Sequence, residues 1–157
     1  MVVKEIMIKN IVTVKRSTTL KEIVRRLKNF FTFPLVPVVE DDGRLIGTVS
    51  FNNLINVFQP YEVNGINFIP FLEREEVDIF ELDITPEMAI LIVVDDIMET
   101  KIYNINQDEP LEKAYNIMQT HSLDRLPVVN HEQKLVGMIG MFSILVALFR
   151  QSGIIKE

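Results

Sequence analysis

The sequence predicts an α+β (mixed α/β) fold in which two β-α-β-β-α repeats pack about a pseudo-two-fold axis. Three observations carry this expectation. First, the chain says nearly the same thing twice: IMIKNIVTV at residues 6–14 recurs as IMETKIYNI at residues 97–105, and PVVEDDGRLIGTVS at residues 37–50 recurs as PVVNHEQKLVGMIG at residues 127–140. Second, the copies keep order and register, so that Ile6-Met7 aligns with Ile97-Met98, Leu20 with Leu111, Leu45 with Leu135 and Gly47 with Gly137, with one residue gained in the first copy between its helix and its second strand. Third, 48% of the 157 residues are apolar, enough to bury a substantial core. Related halves that pack together leave grooves at their seam, where ligand sites commonly lie.

In the first copy, IVTV at residues 11–14 has the branched residues of a short strand. The polar KRSTT leads into an amphipathic helix, with Leu20, Ile23, Val24, Leu27 and Phe30 or Phe31 on its buried side and Lys21, Glu22, Arg25, Arg26 and Lys28 opposite. LVPVVE and RLIGTVS read as two strands joined at Asp41-Asp42-Gly43, where Gly43 supplies the positive φ of a tight hairpin. FNNLINVF closes the repeat as a second helix.

The second copy repeats the order: strand IYNI, helix PLEKAYNIMQTH opening with Pro110 as first helical residue, strands RLPVVN and KLVGMIG, and helix MFSILVALFRQS. Its hairpin replaces Asp-Gly by residues 130–133, which suggests a longer loop with Asn130 as the candidate for the left-handed region. The last helix is apolar on nearly every side, which implies a partner on each face.

Domain organisation follows: residues 2–58 form the first repeat, residues 59–92 an acidic, apolar-containing insert with a lead-in helix, and residues 93–151 the second repeat. The insert carries Glu73, Glu75, Glu76, Asp78, Glu81 and Asp83 beside Phe68, Ile69, Phe71, Leu72, Ile79, Phe80, Leu82 and Ile84. So many large apolar residues predict packing on the domain rather than a free tether. Thr85-Pro86 reads as an N-cap and first helical residue of a helix running through MAILIVVDDIM.

The formal charge of −6 argues against nucleic-acid or anionic-membrane binding, since both draw on clustered Lys and Arg. The absence of cysteine excludes thiol catalysis, disulfides and Cys-ligated metals, and is compatible with a cytoplasmic location. The N-terminus lacks the long apolar core of a secretory signal, and the runs MAILIVV and ILVALF are too short to span a bilayer.

Catalytic constellations are sparse, and the expectation is a protein that is not an enzyme. His121, Ser122 and Asp124 are too close in sequence to reach triad geometry. His131 lies in a turn, two isolated histidines lack metal-ligand spacing, Asp95, Asp96 and Glu99 read as an exposed acidic helix end, and the glycines are scattered singly.

The IM lead-in, PVV strand, hairpin and L-I/V-G strand, repeated twice, resemble a tandem pair of cystathionine-β-synthase (CBS) domains. The resemblance covers residues 2–58 and 93–151 and implies two clefts that bind adenosine-containing regulatory ligands, namely AMP, ADP, ATP or S-adenosylmethionine, with no required cofactor. It also implies a disc-like homodimer. The family's ribose element is a hydroxyl residue, two others, then aspartate, whose carboxylate accepts two ribose hydrogen bonds. The first copy has Ser50-Phe51-Asn52-Asn53, and the second Gly140-Met141-Phe142-Ser143, so neither carries the full pattern. Asn53 can accept one such bond where the shorter Ser143 reaches less far, making the first-copy cleft the better candidate; both residues also suit helix N-caps. The family's adenine-binding positions map to Ile11, Val12, Phe33 and Pro37, and to Ile102, Tyr103, Leu123 and Pro127. Arg125 is a candidate phosphate contact that could equally pair with Asp124. Two functions follow from the resemblance: an adenosine-ligand sensor acting on an unidentified protein partner, or a dimerisation scaffold that has lost nucleotide binding.

Overall fold

The computed structural model describes residues 1–59 and 78–156. Its first half contains α1 (Val3–Ile6), α2 (Leu20–Leu27), β1 (Val36–Val39), β2 (Leu45–Val49) and α3 (Phe51–Asn56). A 3-10 turn at Ile79–Glu81 and α4 (Pro86–Leu91) lead to the second half: α5 (Val94–Ile97), β3 (Ile105–Asn106), α6 (Leu111–Thr120), β4 (Arg125–Val129), β5 (Leu135–Gly140) and α7 (Met141–Gln151). In the second half β3 runs parallel to β4 and β4 antiparallel to β5; in the first, β1 and β2 form the matching antiparallel pair. Both pairs carry an irregularity at the same place, between Val38 and Val39 and between Val128 and Val129.

The two halves exchange their lead-in helices. Val3 is fully buried in the core of the second half among Ile105, Leu111, Met118 and Leu126, and Val94 is fully buried in the core of the first half among Val14, Leu20, Ile23 and Val38. Burying either side chain stabilises by roughly 1.5–3 kcal/mol. The backbone repeats the exchange: Val3 N donates to Glu109 O at 2.9 Å and Lys4 N to Gln107 O at 2.9 Å, while Val94 N donates to Thr18 O at 2.9 Å and Asp95 N to Arg16 O at 2.9 Å. Just beyond each lead-in, Ile8 and Met138 exchange hydrogen bonds of 2.8 and 2.9 Å, as Glu99 and Thr48 do at 2.9 and 3.0 Å. The hairpin tips also meet, through Leu45 N to Gln133 O and Leu135 N to Gly43 O, both at 3.0 Å.

This exchange explains where the chain departs from its sequence reading. The expected strand at residues 11–14 is a single parallel bridge from Val14 to Val38, and the second begins at Ile105 rather than Ile102. The backbone before each is crossing between halves and is not free to join a ladder. The helix expected through residues 88–98 breaks at Ile92 and Val93, which are extended, because Ile92 O accepts from Leu20 N and Val93 bridges Thr19. Thr85 does cap α4, its hydroxyl accepting from Met88 N, with Pro86 as first helical residue.

Other corrections are local. On α2, Leu20, Ile23 and Leu27 are buried but Val24 is exposed, and Phe30 and Phe31, beyond the helix end at Leu27, are exposed as well. Pro110 is the N-cap of α6, with ψ 152°, not its first turn. The second hairpin is no longer than the first: Asn130 N to Lys134 O and Gln133 N to Asn130 O reproduce Glu40 N to Arg44 O and Gly43 N to Glu40 O. Its left-handed residue is Gln133 (φ 61°), the counterpart of Gly43 (φ 90°), and Asn130 instead accepts Glu132 N and Lys134 N on its side-chain oxygen. On α7 only Ile144 and Ala147 are buried, so the chain itself covers one face of that helix. Of the insert, Leu82 packs on the first core while Ile79, Phe80 and Ile84 are exposed; Phe68, Ile69, Phe71, Leu72, Glu73, Glu75 and Glu76 lie outside the described residues.

The repeated glycine of the L-x-G strands has a specific task. A Cβ on Gly47 would sit 2.9 Å from both Glu99 O and Met98 Sδ, and one on Gly137 would sit 2.8 Å from Ile8 O and 3.0 Å from Met7 Sδ. Each glycine is the floor over which the other half's lead-in passes. Gly47→Ala and Gly137→Ala are therefore each expected to cost about 1–3 kcal/mol by overpacking, read from denaturant unfolding. Losses under roughly 0.5 kcal/mol in both would contradict the close crossing.

Candidate functional site

The crossing of Ile8 over β5 carries residues 10–12 to the junction of β5 and α7. Between them opens a cavity of about 490 Å³, walled by Ile11, Val12 and Leu35 of the first half and by Met138, Met141 and Phe142 of the second. Its size and largely apolar lining suit a small organic ligand. The polar groups in the wall are Asn10, Asp124, Arg125 and Ser143.

Two links fix the second-half wall. Met141 N donates to Asp124 O at 2.9 Å, tying the start of α7 to the residue before β4. Arg125 then lies against Asp124 in a two-pronged pair, Nε to Oδ1 at 3.0 Å and Nη2 to Oδ2 at 2.8 Å. The hydrogen bond from Arg125 holds the Asp124 carboxyl below its ordinary range, and the same bond raises the Arg125 guanidinium further above its own. Both groups are therefore charged at neutral pH and largely cancel one another. Gly140 is the N-cap of α7 and contributes no side-chain cap, leaving Ser143 at the third helical position facing the cavity.

The pseudo-equivalent junction of β2 and α3 is built differently. Ser50 caps α3, its hydroxyl accepting from Asn53 N at 3.2 Å, while Asn53 Oδ1 accepts from Ser50 N at 2.8 Å and Ser50 Oγ at 2.9 Å. This is a reciprocal capping box. The oxygen with which Asn53 would accept a ribose hydroxyl is thus already shared between two donors, and the residue that caps is Ser50 rather than Asn53. Tyr103, aligned with Val12, stacks on His121 with ring centroids 3.8 Å apart, and Phe33 lies at 6.4 Å from Phe51 in a tilted pair.

Of the residues singled out in the sequence, the structure brings Ile11, Val12, Arg125 and Ser143 together around the cavity. Ser50, Asn53, Ile102 and Tyr103 are not among its lining. Phe33 packs on the first core and Leu123 on the second, and Pro37 and Pro127 are buried within β1 and β4, opposite Thr48 and Met138. The cleft residues are therefore combined across the halves, Ile11 and Val12 with the second copy's Arg125 and Ser143. Repeat alignment missed Asn10, Leu35 and Met138 because it compares the halves and is silent about which segment crosses. The one signal available was the pair of glycines, where a backbone approaches too closely for a side chain.

Among the described residues, Asp124 holds Arg125 and the His121 ring lies on Tyr103, so neither is placed to serve Ser122. Among the described residues no cluster of three or more His, Asp or Glu forms a metal site, and no helix is long and apolar enough to cross a membrane.

Comparison with known proteins places these features in a family. The profile of the CBS domain matches twice, over residues 3–59 and 94–150. A homoserine O-acetyltransferase of Methanosarcina acetivorans is 26% identical over 90% of this chain, but the match spans only 21% of that enzyme's length. Among solved structures, CBSX2 in complex with AMP superposes with a TM-score of 0.70 at 22% identity, covering 96% of this chain and 98% of that one. The CBS domain pair of protein MJ0100, in complex with 5′-methylthioadenosine and S-adenosyl-L-methionine, superposes at 0.65 with 16% identity, covering 96% and 98%.

Proposed function

This chain belongs to the CBS domain family, and from that premise we propose that it is a regulatory module that senses an adenosine-type ligand in the cavity shared by Ile11, Val12, Arg125 and Ser143. The observation that carries the reading is the cavity itself: about 490 Å³, apolar, at the seam of two exchanged halves, with a few convergent polar groups. Similarity to CBS pairs solved with AMP, and with 5′-methylthioadenosine and S-adenosyl-L-methionine, supports the ligand class. Regulation needs no bond chemistry: a ligand that binds one arrangement of the halves better than another shifts the population between them. The seam suits this, because Ile8 and Met138, hydrogen-bonded to one another across the halves, both line the cavity.

The second reading, a scaffold without nucleotide binding, is favoured by one observation at the other junction, where the Asn53 amide oxygen is committed to Ser50. The output surface in either reading is the uncovered face of α7. Phe142, Leu145, Leu148 and Phe149 are 77%, 45%, 50% and 40% exposed, and an apolar patch of this kind fits a homodimer face.

Thermal unfolding distinguishes the readings. A saturating adenosine compound, at about 100 times its dissociation constant, adds about 2.7 kcal/mol and raises the midpoint by roughly 5–10 °C in a protein of this size. The guanosine counterpart gives no shift, Val12→Trp abolishes the effect by filling the cavity, and Tyr103→Ala retains it. The absence of a shift with every adenosine compound would leave the scaffold. For the oligomer, Leu148→Glu is expected to lower the sedimentation coefficient from dimer to monomer, and an identical coefficient in both proteins removes α7 as the interface.

A further inference from the structure

Among the described residues, the cavity lining has one cation, Arg125, and one anion, Asp124, and they are bound to each other. Its remaining described lining is Asn10, Ser143 and residues without charge. We propose that Asp124 is a specificity-determining residue that withholds Arg125 from phosphate, so that the cavity selects adenosine-type ligands lacking a phosphate ester: a free nucleoside or its thioether and sulfonium derivatives. This inference rests on the adenosine reading above and narrows it.

The argument is one of charge and of occupied donors. A phosphate group is held by a fork of guanidinium donors acting in parallel. Here two of those donors, on Nε and Nη2, already point at the two oxygens of Asp124 at 3.0 and 2.8 Å. A phosphate ester must either displace that carboxylate or take the remaining Nη1–Nη2 edge of the guanidinium beside it, and a monoester brings about 1.5 to 2 negative charges. The opening of α7 adds only a partial positive charge, about half an elementary unit. That balances a hydroxyl or a single acceptor, and falls short of a nucleotide. The apolar walls, by contrast, accept a purine face and a thioether equally well, and a sulfonium meets Asp124 without repulsion.

The pair is also unusually removable. Both groups belong to adjacent residues, and the Asp124 side chain is 73% exposed, so its loss leaves the core untouched. The contact that Asp124 makes to α7 runs through its backbone oxygen, which any substitution retains.

The test is calorimetric titration of adenosine, 5′-methylthioadenosine, AMP and ATP into the wild type, Asp124→Ala and the double variant Asp124→Ala/Arg125→Ala. In the wild type the phosphate-free compounds bind at least about tenfold more tightly than ATP, a difference of about 1.4 kcal/mol. Asp124→Ala raises the affinity for AMP and ATP about tenfold or more, and adding Arg125→Ala removes that gain. Asp124→Asn, which keeps the shape and loses the charge, moves in the same direction and serves if the alanine variant does not fold. ATP binding as tightly as adenosine in the wild type, or phosphate affinity unchanged in both Asp124 variants, overturns the inference while leaving the adenosine reading intact. Absence of binding by all four compounds in all variants overturns both.

Discussion

The passage of each lead-in across a glycine of the opposite half is the constraint on which the rest of this structure depends. With Ile8 laid over Gly137 and Glu99 over Gly47, neither half has a complete core of its own. Val3 completes the second and Val94 the first. The cavity exists for the same reason, since the strand-like segment at residues 10–12 reaches the β5–α7 junction only by that crossing. Charge reinforces the choice of partner. Lys4 on α1 meets Asp108 at 2.7 Å, whereas at the equivalent site Asp95 on α5 meets Arg16 at 2.8 Å. The signs are reversed between the two docking sites, so a lead-in docked on its own half would face Lys4 with Arg16 and Asp95 with Asp108. Exposed pairs of this kind stabilise little, about 0–1 kcal/mol each, and their value lies in disfavouring the wrong arrangement.

The two junctions occupy matching positions in the repeats and are built in opposite ways. At β2–α3 the polar residues have turned inward to serve the fold: Ser50 and Asn53 cap one another and satisfy the helix end. At β5–α7 the equivalent positions are Gly140 and Ser143, which leave the helix end without a side-chain cap and the cavity wall open. Helix capping and ligand binding compete for the same few atoms, and in the proposed reading one junction serves each.

Much of this was legible in the sequence. The repeat, the strand pairs around PVV, the positive φ of Gly43 and the Thr85-Pro86 helix start follow from local chemistry that needs no tertiary information. The misreadings at residues 11–14, 88–98 and 102–105 share one cause, because local pattern does not say which half a segment belongs to. The apolar run from Met88 to Val94 has helical composition throughout, yet Ile92 and Val93 are extended to pair with the start of α2. Val24 lies at core spacing on α2 and is exposed. Gln133 takes the left-handed conformation that Gly43 takes in the matching turn, a position where the sequence offered no glycine. The candidate residues were grouped within a copy, whereas Ile11 and Val12 stand across the cavity from Arg125 and Ser143.

The central claim is that ligand recognition belongs to the seam at β5–α7 and not to its counterpart at β2–α3. Methyl-detected NMR of the intact chain, titrated with 5′-methylthioadenosine, reads both junctions in one spectrum. The account predicts shifts at Ile11, Met138 and Met141, which line the cavity, with Ile102 and Leu54 unmoved. Shifts at Ile102 and Leu54 with Met138 and Met141 unchanged would contradict it.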